Sequence, residues 1–117
     1  MLQQDIILVK VPFTDYSGEK LRPALVVSNT DYNSRNHDVV ICGITSNLDK
    51  IPYSVFISQD NLSQGQLPLS SKIRADKIMQ IEKSRIVKKF ARLNDQTFEL
   101  VVKEIIKLVS TAAPSRA

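Results

Sequence analysis

The apolar residues of this chain come in short runs rich in Val and Ile, none longer than about five residues, separated by clusters of Pro, Gly, Ser, Asn and Asp. Such runs suit strands joined by turns, and they fall far short of the roughly 20 apolar residues needed to cross a bilayer. Asp5–Val11, Pro23–Asn29, Asp38–Ile44, Tyr53–Ile57 and Ser70–Ile81 read as strands, and Ser84–Leu93 as one more strand or an irregular crossing. Pro23–Asn29 carries Ala, Leu and Val without alternation, which predicts burial on both faces. Between them lie a polar loop over residues 14–20, one helical turn over Asp31–His37, a loop at Leu48–Pro52 and turns around Ser58–Asn61 and Gly65.

Only the end of the chain has helical periodicity. Phe98, Val101, Val102, Ile105, Leu108 and Val109 recur at i, i+3, i+4 spacing, with Leu100 off the stripe. Asn94 suits the N-cap and Asp95 the first turn. The stripe can pack on the sheet or be shared with a second chain. Several short strands and one terminal helix predict a mainly-β, α+β fold, a small and strongly bent sheet or barrel. The 117 residues fit a single domain, with the sheet over about residues 4–92 and the helix over about 95–110.

Cys42 and His37 are the only cysteine and histidine. No internal disulfide can form, and a His/Cys zinc centre or a mechanism with two imidazoles is excluded. His37 reads as a surface residue and Cys42 as a small core residue. Asp5 interrupts the region where a signal peptide would need its apolar stretch. The expectation is a soluble, cytoplasmic domain working with carboxylates, hydroxyls and cations.

The net charge of +4 is unevenly placed. Residues 72–92 hold eight Lys or Arg against Asp76 and Glu82, whereas residues 1–71 are net negative. Such a cluster can attract a phosphate backbone or simply form a solvated face. On strands, like charges two apart, as at Lys72/Arg74 and Lys83/Arg85, would share a face.

Three places can carry chemistry. Arg22, at the entrance of an apolar strand, can hold a phosphate with two parallel hydrogen bonds or form a surface ion pair. Thr45 and Ser46 end a buried strand, where hydroxyls can bond a phosphate oxygen or close a polar turn. Arg74 and Asp76 fall on one strand face, as an acid/base pair with a charge stabiliser or as a salt bridge. Together they suffice for metal-free RNA cleavage. The ribose 2′-hydroxyl is an internal nucleophile beside the phosphorus, so a protein need only move protons and stabilise charge. Single-stranded RNA is the fitting substrate, because its bases splay out and its backbone can rotate into line.

The order of these pieces resembles the MazF/PemK/Kid family of toxin endoribonucleases. Gln4-Asp5-Ile6-Ile7-Leu8-Val9 is similar to the family's opening "G-D-I-(I/V)-x-V", followed by Pro12-Phe13-Thr14-Asp15. Arg22-Pro23-Ala24-Leu25-Val26-Val27-Ser28 resembles "R-P-x-(L/V)-V-(L/V)-S", and Ile44-Thr45-Ser46 resembles "(I/V)-T-(S/T)". Gly65-Gln66-Leu67-Pro68, the block Ser71–Ile78 with its Arg-x-Asp, and Leu93-Asn94-Asp95 before the helix complete the match over about residues 4–109.

The resemblance implies an SH3-like barrel of the CcdB/MazF type with a C-terminal helix, a homodimer with RNA in a groove across its interface, and a cognate antitoxin as partner. It implies no cofactor and no membrane. Arg22, Thr45, Arg74 and Asp76 carry over as active-site residues: Asp76 as general base, Arg74 as general acid or relay, Arg22 as stabiliser of the phosphorane, and Thr45 with Ser46 positioning the phosphate. Lys20, Lys72, Lys77 and Glu19 are the further RNA-binding candidates. The chain departs from the family in a shorter loop, with Glu19 three rather than five positions before Arg22, no histidine there, and Gln4 in place of glycine. A gyrase-binding toxin of the CcdB type and a catalytically idle RNA-binding barrel are the alternatives; the first lacks an aromatic anchor in the tail 111–117.

Overall fold

The structure is a computed structural model that describes residues 2–12 and 18–111. The expectations for the loop residues 13–17 and for the tail beyond residue 111 lie outside the described residues. Seven strands form, each around one of the apolar runs or beside one: β1 (Asp5–Pro12), β2 (Glu19–Val26), β3 (Asp38–Thr45), β4 (Ser54–Ile57), β5 (Leu62–Gly65), β6 (Ser71–Glu82) and β7 (Ile86–Leu93). Two helices accompany them, α1 (Thr30–Arg35) and α2 (Asp95–Val109).

β1 and β2 form a hairpin in register from Ile6 opposite Leu25 to Pro12 opposite Glu19. β2 therefore starts four residues before the apolar run, because backbone pairing continues beyond it. Arg85 adds to this end, meeting Glu19 at 2.6 Å. β5, with one apolar residue, was not expected as a strand; it is an edge element paired to β7. Lys83–Arg85 is a 3₁₀ turn rather than a strand.

All pairings are antiparallel and the strands lie in the order β4-β6-β3-β2-β1-β7-β5. The sheet is thus open, without hydrogen bonds between its two edges among the described residues. Packing brings its ends together instead. Val55 and Ile57 of β4 share one core with Ala91 and Leu93 of β7, from opposite ends of the strand order, and Phe98 and Val101 of α2 join them. Only a strongly curled sheet can do this. The alternate residues Ile7, Val9, Ala24, Val26, Val39 and Ile41 form a second core on the other face. Both faces of β2 are accordingly buried at Ala24–Val26, as its composition predicts.

Cys42 lies in the first core with no exposed surface. Burial, aided by the negative charge of Asp76, pushes its thiol up to about 12. Asp5 is buried at 2% exposure and accepts from Leu2 N at 3.0 Å, with Lys89 and Arg92 each 3.2 Å from its Oδ1. Asn94 caps α2, its Oδ1 accepting from Thr97 N at 2.8 Å. The helix outruns the sheet it packs on: Phe98 and Val101 are buried, whereas Leu108 and Val109 of the same stripe are exposed.

Candidate active site

The site is built by a break in the β3–β6 ladder. Cys42 pairs with Ile78 but Ile44 pairs with Ile73, so the four residues Arg74–Lys77 stand opposite Gly43 alone. The bulge ends the strict alternation of β6, and every residue from Asp76 to Gln80 is exposed. It also carries Arg74 and Lys77, three positions apart, to one side. Lys77 packs over Gly43, its Cβ 3.5 Å from where a Cβ would sit, an ordinary contact distance.

A groove of about 650 Å³ opens there. Its walls carry Lys20 and Arg22 from β2, Thr45 from the end of β3, and Arg74 and Lys77 from β6. Among the described residues, four cations and no carboxylate line it, which suits an anionic ligand. Arg22 makes no hydrogen bond or ion pair among the described residues, so the surface-pair reading of this guanidinium is not realised there. Thr45 Oγ1 accepts from Asn47 N at 3.1 Å, a local turn bond that leaves its own O–H to donate.

Arg74 and Asp76 are joined by two hydrogen bonds, Nε to Oδ1 at 3.0 Å and Nη2 to Oδ2 at 2.7 Å. The bonds from Arg74 hold the Asp76 carboxyl below its ordinary range, and Asp76 in turn raises Arg74. Asp76 is not itself a wall of the groove and meets it through Arg74. Tyr53 fixes the backbone between the two. It holds the left-handed φ of 55°, uncommon for a bulky residue, and its carbonyl accepts from Ala75 N at 2.9 Å.

A second cleft, of about 320 Å³, adjoins the first and shares Arg22, Pro23, Ile44 and Thr45 with it. Ser46 lines this cleft rather than the groove. Besides Asp76, two candidates fall in neither: Lys72 Nζ donates to Asp49 O at 3.0 Å, and Glu19 is paired with Arg85.

The basic stretch 72–92 does not form one patch. Arg74 and Arg85 are paired with Asp76 and Glu19, Lys89 and Arg92 with Asp5, and Lys83 donates to Asn33 O. Only Arg74 and Lys77 of the stretch reach the groove, whose other cations come from β2. The local charge is therefore assembled by strand order rather than by the run in sequence. Among the described residues, no three His, Cys, Asp or Glu gather as a metal-binding group, and no helix is long and apolar enough to cross a membrane.

A family model for PemK-like, MazF-like toxins of type II toxin–antitoxin systems matches residues 2–109. This chain belongs to that family. No curated protein sequence matches it significantly. Among solved structures, this PemK-like chain is similar to an endoribonuclease from a Mycobacterial species in complex with its cognate antitoxin, at 19% identity and TM-score 0.79, covering 97% of this chain and 99% of that one. It is similar also to a MazE–MazF structure from Deinococcus radiodurans, at 19% identity and TM-score 0.78, covering 96% and 98%. Mycobacterium tuberculosis toxin MazF-mt6 follows the same fold at 16% identity and TM-score 0.72, covering 88% and 93%.

Proposed function

We propose that this toxin is a metal-independent endoribonuclease that cuts single-stranded RNA at preferred sequences. The observation that carries the reading is the meeting of Arg22, Thr45, Arg74 and Lys77 on one groove, with Asp76 bonded to Arg74. A scissile phosphate between Arg22 and Thr45 would have its growing negative charge met by fixed donors. Each oxygen of Asp76 accepts one bond from Arg74 and keeps lone-pair capacity for the proton of the ribose 2′-hydroxyl.

The steps balance without a further reagent. The 2′-oxygen bonds to phosphorus while its proton passes to Asp76. The bond from phosphorus to the 5′-oxygen breaks, and that oxygen takes the proton back through the Arg74–Asp76 pair. The products are a 2′,3′-cyclic phosphate and a 5′-hydroxyl. Because Asp76 holds Arg74 more firmly charged, Arg74 serves better as a stabiliser and relay than as the proton's source.

The same reading makes the toxin a cytoplasmic homodimer restrained by a cognate antitoxin. The similarity to one endoribonuclease seen with its cognate antitoxin and to MazF seen with MazE supports the antitoxin partner. An antitoxin segment that is acidic and folds on binding would suit the four cations of the groove. The test is incubation of purified protein with single-stranded RNA in EDTA. Cyclic-phosphate ends are expected, and no product from Arg22→Ala or Asp76→Ala. Loss of cutting on chelation, or undiminished cutting of RNA with its 2′-hydroxyls removed, would overturn the mechanism.

A further inference from the structure

We infer that Tyr53 is a positioning residue for RNA cutting: its left-handed backbone fixes the peptide between Arg74 and Asp76 and so keeps the two side chains on one another. This rests on the ribonuclease reading, in which that pair moves the protons. On the β3 side, Arg74–Lys77 stand opposite Gly43 alone, so no residue-for-residue ladder holds them there. On the β4 side the ladder runs from Ile57 opposite Ser71 to Ser54 opposite Arg74 and stops. One bond carries the pairing a residue further, from Ala75 N to Tyr53 O at 2.9 Å. Ala75 is the residue between the pair, and its side chain is fully buried. Alternation along the strand then turns Arg74 and Asp76 to the same, opposite face, where their bonds of 3.0 and 2.7 Å form. A rotation of the Ala75 peptide would swing one of these side chains away from the other.

The φ of 55° at Tyr53 is one that an L-residue adopts at a cost and a β-branched residue almost never. The ring does not account for it, since Tyr53 is 38% exposed and belongs to neither core. Polar bonds hold the turn instead. Ser54 Oγ donates back to Ile51 O at 2.5 Å, closing the chain around Pro52 and Tyr53. Lys72 Nζ, donating to Asp49 O, ties the same loop to β6 two residues before Arg74. A costly backbone conformation is thus kept where its side chain gains little, and its carbonyl meets the one peptide that separates Arg74 from Asp76.

The test compares Tyr53→Asn and Tyr53→Gly, which accept the left-handed conformation, with Tyr53→Val, which does not, all in the full chain. Each loses the ring, so a difference among them reports the backbone. One readout is kcat and KM on single-stranded RNA. The other is an NMR titration of the Asp76 carboxyl, which needs no cutting. The titratable groups facing that carboxyl are Arg74 and Lys77 of β6 and the buried Cys42 thiol of β3, while Ser54–Ile57 of β4 adds none. The substitutions change none of these. Tyr53→Asn and Tyr53→Gly should keep kcat within about threefold of the wild type and the titration below 3.8. Tyr53→Val should lower kcat by roughly ten- to a hundredfold with KM held within about twofold, and move the titration up towards 3.8. If a thermal melt shows Tyr53→Val unfolded, Tyr53→Ala takes its place, with the same directions expected. Equal kcat and titration in Tyr53→Val and Tyr53→Asn, or an equal loss in all the variants, overturns the positioning role. Cutting with no Val-specific titration shift sinks the positioning and leaves the nuclease. A Val-specific shift in a protein that does not cut sinks the nuclease and leaves Tyr53 as the support of the pair.

Discussion

Arg74 grips Asp76 two residues along the same strand, with Nε on one carboxylate oxygen at 3.0 Å and Nη2 on the other at 2.7 Å. The grip lowers the Asp76 pKa, so the carboxylate is ionised and ready to accept a proton throughout the physiological range. The acidic limb of kcat/KM should therefore lie below the ordinary Asp value of 3.8. In Arg74→Gln, cutting should slow and the residual activity should show that limb moved up towards 3.8, because the hydrogen bonds that lower the pKa are gone. The stability contributed by the pair has the same sign. It is present above the unfolded pKa and lost as pH falls through the folded one, and it is small because both side chains meet solvent.

Arg22 is exposed and has no partner among the described residues. Removing it should leave the fold intact and take the charge stabilisation from the phosphate. Arg22→Ala should lower kcat by about 10²–10³-fold with an unchanged melting temperature. Arg22→Lys should recover only part of this, since a point charge does not reproduce a two-pronged grip. Single-turnover cleavage beside a thermal melt measures both.

Binding of single-stranded RNA should weaken steeply with salt. With four groove cations, one already paired, log affinity should fall against log salt with a slope of about −2 to −3. Lys77→Ala should reduce the slope by about 0.7, whereas Lys88→Ala, outside the groove, should leave it unchanged. Titrations of an uncleavable oligonucleotide at several salt concentrations measure the slopes.

Asp5 answers to stability rather than to cutting. Its carboxylate is buried between Lys89 and Arg92, so Asp5→Ala strips a partner from both cations and from Leu2 N. A loss of about 2–4 kcal/mol is expected in urea unfolding, with the kcat of the folded fraction retained.

Much of the sheet was legible because Val and Ile declare the strands and Asn94 declares the helix start. β5 was not, since an edge strand such as Leu62–Gly65 needs backbone pairing and little apolar character. The exposed end of α2 was not legible either, because periodicity marks an apolar stripe but not where its neighbour stops. At the site, Arg22 and Thr45 could be read from their places at strand ends. The bulge that gathers Arg74 and Lys77 is a property of three strands together, and the distant partners of Glu19 and Lys72 depend on topology. Tyr53 acts through its backbone carbonyl, and the Gln59 amide bonds the distant backbone of Gly65 and Leu67, neither of which the residue types announce. The departure at Gln4 has a physical content: its φ of 78° is one that a glycine adopts freely, and its side chain is anchored to Leu93 O at 2.8 Å and Asp95 Oδ1 at 3.0 Å.

The sealed thiol of Cys42 makes the protein its own unfolding clock. A thiol-specific reagent at neutral pH finds almost no thiolate and no access in the native fold, so labelling should wait for the core to open. With one cysteine in the chain, the mass added over time counts single opening events. The same experiment with an antitoxin or an oligonucleotide present would reveal, without any label attached beforehand, how far each partner delays the opening of the core.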